Sequence, residues 1–124
     1  MVERYEYHIM FASPVNFDFD SSEVRAGDDE FLERFAHVVA HHYANSVVTV
    51  QGYTDAAGPA EYNKVLSQKR AENVAGYLVE HGLDAGHVRA IGMGEAHQVA
   101  PGAWGDQEGG LMNRRVTFVI ESAS

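Results

Sequence analysis

Apolar and polar residues alternate through "YEYHIMF" (Tyr5 to Phe11) and "VNFDF" (Val15 to Phe19), the period-two pattern of extended chain. Pro14 separates the two runs and has no N–H to give a sheet ladder. The pattern therefore predicts an edge strand, or two short ones broken at that residue. Beyond Gly27 the period lengthens. The acids Asp28 to Glu30 precede Phe31, Leu32, Phe35, Val38 and Val39 at helical spacing, which predicts an amphipathic helix over about residues 28–43. Asn45 and Ser46 interrupt it, and the β-branched run "VVTVQGY" (Val47 to Tyr53) predicts a strand.

"DAAGPA" is a turn, with Pro59 suited to the first turn of a helix, where a missing N–H costs nothing. The helix is expected to reach about His81 and to stop at Gly82. Its packed face carries Leu66, Val74 and Leu78 with Ala71, Ala75 and Tyr77, leaving Glu61, Lys64, Gln68 and Glu72 for water. "HVRAIGM" (His87 to Met93) predicts another strand, so residues 47–93 make a strand-helix-strand unit whose crossover requires parallel strands. After a Gly-rich segment, "RRVTFVIE" (Arg114 to Glu121) alternates and closes the sheet. The elements sum to a single α+β domain over residues 1–124: a two-layer sandwich with two helices on one face of a mixed sheet of four or five strands.

Composition narrows the partners. With 9 Lys+Arg against 18 Asp+Glu the formal charge is −9, so the surface repels phosphate backbones and anionic lipids, and a nucleic-acid role is disfavoured. The chain has no cysteine, which removes disulfides, thiol nucleophiles and cysteine zinc sites. Its apolar runs are a few residues long, far short of the roughly 20 that span a bilayer. "MVERYEYHIM" has no basic-then-apolar layout of a secretory signal.

The chemistry gathers around one βα turn. Asp55 ends a strand of the parallel unit, the edge at which such sheets collect ligands. In the helix that follows, Asn63 and Arg70 are seven residues apart and so lie within about 20 degrees on one face, with Leu66 between them. An acid and an arginine facing one turn suit a ligand bearing an ammonium and a carboxylate, because guanidinium holds carboxylate in a planar two-bond fork. The plainer alternative is that the two side chains pair with each other, or that Arg70 extends from a packed face to water.

The ordered motifs "GYTD", "YN..LS..RA..V..YL...G", "V...G.GE" and "NRRV.F.I", with "VNFDFDSSEV" before them, closely resemble the OmpA-like domain, also called the OmpA/MotB C-terminal domain, over about residues 15–121. That resemblance implies a noncatalytic pocket for the diaminopimelate residue of peptidoglycan stem peptides. Asp55 would receive its ammonium and Arg70 its carboxylate. Asn63 and Leu66 fall on pocket positions, Asp18 on an acidic position whose backbone lines the pocket, and Arg114 opens "NRR". The resemblance further implies a periplasmic wall anchor without cofactor or metal, whose signal and membrane attachment lie outside these residues. Oligomeric state, homodimer included, stays open. A different reading keeps the fold but leaves the pocket idle, the domain serving as an interaction or oligomerisation module of an envelope complex. The chain departs from the family where it has Tyr53 for a common His, Gln98 for Pro and Gly110 for Arg. The last two alter the Gly-rich segment and put its order, its gating of the pocket and the binding strength in question.

Other features have plainer readings. His37 and His41 share a helix face, but no third ligand follows at an informative spacing, and a solvated face is expected. "GMGE" reads as a tight turn and Ser67 as a helix residue bonded to its own backbone. Trp104 is expected to anchor the Gly-rich segment.

Overall fold

Residues 8–18, 21–43, 45–55, 58–95 and 113–122 are described by a computed structural model of the chain. Among them run β1 (His8–Asn16), α1 (Asp28–His42), β2 (Ser46–Gly52), α2 (Ala60–Glu80), a 3₁₀ turn (Ala85–His87), β3 (Val88–Gly92) and β4 (Arg115–Ser122). The strands form one sheet in the order β1-β4-β2-β3. β2 and β3 are parallel, and β4 runs antiparallel to both β1 and β2. The expected mixed sheet, parallel unit and helical pair are thus present.

β1 takes the first of its two expected forms. It is a single edge strand running through Pro14, not two broken there, and its pairing with β4 shifts register between Ala12 and Asn16. An edge position and an irregular ladder together accommodate a residue that cannot donate. Asp18 falls just past the strand instead of within it.

Both helices cover the same face. Val48 and Val50 of β2 and Val116, Phe118 and Ile120 of β4 turn inward against Leu32, Phe35, Ala36 and Val39 of α1 and Ala71, Val74 and Leu78 of α2. Phe35 stacks on Phe118 with ring centroids 4.2 Å apart. α1 begins with Asp28, Asp29 and Glu30 and ends with His41 and His42, in accord with its macrodipole. Pro59 is the N-cap of α2 rather than a residue of its first turn, and Gly82 turns the chain away at φ 117°.

Close approach of α2 to the sheet depends on two glycines. Gly52 and Gly92 are register partners at the ends of β2 and β3. A Cβ on Gly52 would lie 2.3 Å from the Ser67 carbonyl oxygen, and one on Gly92 would lie 2.5 Å from the Gln68 backbone nitrogen. Gln68 itself does not face water as the helical pattern predicts. Its Oε1 accepts from the Gly92 N–H at 2.7 Å and its Nε2 donates to the Ala90 carbonyl at 3.0 Å. A side-chain amide so placed stands in for the peptide group of a further strand on the edge of β3.

Candidate functional site

The carboxyl ends of β1, β2 and β3, the amino end of β4 and the first turns of α2 meet at one edge of the sheet, as the strand directions require. Backbone bonds stitch this edge together. Phe17 N donates to the Arg114 carbonyl at 2.9 Å, Tyr53 N to that of Arg115 at 2.8 Å and Thr54 N to that of Gly94 at 2.8 Å.

Arg70 sits in the middle and is 0% exposed. Its Nε donates to the Ser21 carbonyl at 2.7 Å, Nη1 to that of Tyr53 at 3.1 Å and Nη2 to that of Asp18 at 3.2 Å, while the guanidinium lies 5.0 Å from the Phe17 ring centroid. It reaches there because α2 buries one stripe, Asn63, Ser67, Arg70, Ala71, Val74 and Leu78, in which polar residues occupy the first turns and apolar ones the rest. The guanidinium, far from extending to water, holds the β1–α1 connection against β2. Asn73 assists one turn later, donating to the Ser22 carbonyl at 2.6 Å.

Asp55 is 3% exposed, at the expected end of the β2 segment. Its Oδ2 accepts from Arg114 Nη1 at 2.9 Å, and Arg114 Nε donates to the Phe17 carbonyl at 2.8 Å. Spacing along α2 points to Arg70 as the cation facing Asp55; the ion pair seen here is made by Arg114, the residue just before β4. Asn63, 2% exposed, donates from Nδ2 to the Gly58 carbonyl at 3.4 Å and to Glu95 Oε1 at 3.1 Å. Leu66 is half-buried beside it. The Asp18 side chain is exposed and faces Arg25 at 3.4 Å, so its backbone carbonyl is what enters the site. The six sequence-predicted residues, Asp18, Asp55, Asn63, Leu66, Arg70 and Arg114, therefore all belong to this edge and to the stretch of α2 that faces it.

Phe17, Ser21 and Glu95 are neighbours that the sequence does not single out. The carbonyls of Phe17 and Ser21, like that of Tyr53, accept from the two arginines, which no side-chain pattern reports, and "GMGE" indicates only a turn at Glu95. Gly94 does make that turn, at φ 61°, and Ser67 Oγ holds its N–H at 2.8 Å while donating to the Lys64 carbonyl at 2.8 Å. The Tyr53 ring is buried and carries the Arg115 guanidinium 3.9 Å above its centroid. Burial pushes the Arg115 pKa below its ordinary value, and the facing Tyr53 partly opposes this.

The model of the OmpA family matches residues 16–109, most of the described fold and the Asp55–Arg70 frame. The chain belongs to the OmpA family. Within it, this chain is 38% identical over 109 residues to outer membrane porin F of Pseudomonas aeruginosa, covering 87% of this chain and 30% of that protein. It is 36% identical over 107 residues to peptidoglycan-binding protein ArfA of Mycobacterium tuberculosis, covering 86% of this chain and 32% of that one. The peptidoglycan-associated lipoprotein of Burkholderia pseudomallei superposes with a TM-score of 0.75 at 31% identity, over 87% of this chain and 88% of that one. The chain spans about a third of the length of the two sequence relatives named here. The relatives with which this chain shares the OmpA-family fold are thus named as an outer membrane porin, a peptidoglycan-binding protein and a peptidoglycan-associated lipoprotein, none of them for an enzymatic activity.

Elsewhere, the His37 and His41 rings lie 4.1 Å apart on the exposed face of α1, with His41 Nδ1 hydrogen-bonded to the His37 carbonyl at 2.9 Å. Among the described residues no group of three His, Asp or Glu is gathered as for a metal ion, and no helix is long and apolar enough to cross a membrane. Gln98, Trp104 and Gly110, and with them the Gly102–Gly110 segment, lie outside the described residues.

Proposed function

We propose that this domain is a noncatalytic peptidoglycan-binding module that tethers an envelope protein to the wall by its stem peptides, reading the diaminopimelate residue at the Asp55–Arg70 edge. The observation that carries this reading is a buried guanidinium and a buried carboxylate held at one sheet edge, both within residues 16–109 that match the OmpA family. Relatives named as a peptidoglycan-binding protein and a peptidoglycan-associated lipoprotein support it. Asp55 takes the ammonium and Arg70 the carboxylate. Leu66 borders the stem peptide from α2, and Asn63, Arg114 and the Asp18 backbone complete the wall of the pocket.

Arg70 is enclosed by carbonyls, so the ligand binds by exchange: its carboxylate replaces a neutral acceptor such as the Asp18 carbonyl, and a charge-assisted fork replaces a weaker bond. Lysine lacks that carboxylate, so a lysine-type peptide gains nothing from the guanidinium. Each charge-assisted bond is worth about 1.5–3 kcal/mol, so losing either partner weakens binding roughly tenfold or more. Modest affinity suffices because the wall presents many copies. The setting is periplasmic, with membrane attachment supplied by other segments of the full protein.

A second reading is favoured by one observation: Arg70 is wholly buried and already joins three backbone carbonyls, as an architectural arginine would. On that reading the pocket is idle and the domain mediates assembly, as a homodimer or with another envelope protein. Calorimetry with a diaminopimelate stem peptide and with its lysine counterpart, alongside Asp55→Ala and Arg70→Ala, separates the two. Binding by the first peptide alone, lost in both variants, supports the wall anchor. Absence of heat together with failure to sediment with purified wall leaves the interaction module.

A further inference from the structure

Asp55 is a constrained acceptor for an ammonium. It is nearly buried, and one of its oxygens is committed to Arg114. Among the described residues, the buried charged side chains of this edge are the guanidiniums of Arg70 and Arg114 and the carboxylate of Asp55, two positive groups to one negative. A zwitterionic ligand end carries an amine and a carboxylate and sums to zero. Such a site favours the carboxylate half and opposes the amine unless a further anion stands near.

Glu95 supplies one. Thr54 N donates to the Gly94 carbonyl at 2.8 Å, and Asp55 and Glu95 are the residues that follow that bonded pair, each three positions past the end of one of two adjacent parallel strands. Glu95 is exposed, yet its Oε1 accepts from Asn63 Nδ2 at 3.1 Å, and Asn63 is itself buried and fastened to the Gly58 carbonyl in the β2–α2 turn. The backbone beneath it is fixed by the Gly94 turn and by Ser67 Oγ on the Gly94 N–H at 2.8 Å. An exposed glutamate contributes little to stability, so a buried amide that orients one is best explained by what the carboxylate faces. Asn63 then acts by orienting Glu95 and the turn.

We propose that Glu95, held by Asn63, is a ligand-contacting residue that shares the ammonium of the bound diamino acid with Asp55. This rests on the peptidoglycan reading above. Glu95 offsets the excess of cations over anions among those buried groups, matching a zwitterion, and its exposed position lets the amine keep part of its hydration.

Calorimetry on the whole chain tests it with two peptides: one containing diaminopimelate, and one containing 2-aminopimelate, which keeps the distal carboxylate and lacks the distal amine. Glu95→Gln keeps the shape and removes the charge. It is expected to weaken the diaminopimelate peptide about tenfold, the scale of one charge-assisted bond, while changing the 2-aminopimelate peptide less than about twofold. Asn63→Ala should give part of the same loss with the first peptide alone; since it empties a buried position, Glu95→Gln is the deciding variant. Equal weakening of both peptides by Glu95→Gln, or no weakening of either while Arg70→Ala abolishes binding, overturns the role of Glu95 and leaves the site reading intact. Failure of the unaltered protein to bind either peptide overturns both.

Discussion

Arg114 Nη1 lies 2.9 Å from Asp55 Oδ2 with both side chains almost out of water, so the segment that enters β4 and the segment that leaves β2 are joined by a buried ion pair. Removing one partner strands the other. Arg114→Ala is expected to lower unfolding free energy by about 3–5 kcal/mol, and Asp55→Ala by a similar amount. The double variant should lose clearly less than the sum, with a coupling of about 1 kcal/mol or more. Urea unfolding of the four proteins measures this, and strict additivity would mean that the pair carries no mutual stabilisation.

Arg70 tests the difference between a charge and a fork. Arg70→Lys keeps the charge but cannot span carbonyls on three sides, and about 1–3 kcal/mol of stability is expected to disappear with those bonds. Binding of the diaminopimelate peptide should fall at least tenfold. A lysine variant with unaltered stability would show that the carbonyl cradle contributes little.

Glycine at the strand ends has a steric purpose that glycine within α2 lacks. Gly52→Ala and Gly92→Ala put a methyl 2.3 Å from the Ser67 carbonyl and 2.5 Å from the Gln68 nitrogen, both backbone atoms that cannot swing aside. Each is expected to destabilise by about 1–3 kcal/mol. Gly76 lies within α2 with nothing within 4 Å of a Cβ, so Gly76→Ala should stabilise by about 0.5–1 kcal/mol. Thermal melts of the three variants, opposite in sign, check the packing of α2 on the sheet.

Gln68 can be examined by a single-atom change. Gln68→Glu keeps an acceptor for the Gly92 N–H but replaces the Nε2 that donates to the Ala90 carbonyl with a carboxylate oxygen facing that carbonyl and Glu72. A loss of about 1–2 kcal/mol is expected, with faster amide exchange at Gly92 as the local readout. Unchanged exchange at Gly92 would mean that the amide does not protect the edge of β3.

Much of this fold was legible in one dimension because period is a local property. Alternation in "RRVTFVIE", the β-branched "VVTVQGY" and the helical spacing from Phe31 to Val39 each report a neighbour relation along the chain, and those elements lie within a residue or two of their expected ends. Pro14 leaves two forms open, one edge strand or two short ones, for a local reason too. It marks an interrupted ladder, and only the register against β4 distinguishes an irregular strand from a broken one.

The sequence by itself determined the α+β class, the parallel unit from residue 47 to 93, and an acid and an arginine at its βα turn, because helical and strand periods and a short crossover leave little choice. Which groups meet was decided only by the tertiary structure. Asp55 pairs with Arg114, 59 positions away, and Arg70 bonds carbonyls of Asp18 and Ser21, 52 and 49 positions away. Those contacts depend on strand order and on backbone oxygens that every residue carries alike, so no pattern of side chains encodes them. The same holds for Gln68, whose place on a helix suggests water until β3 is set beside it.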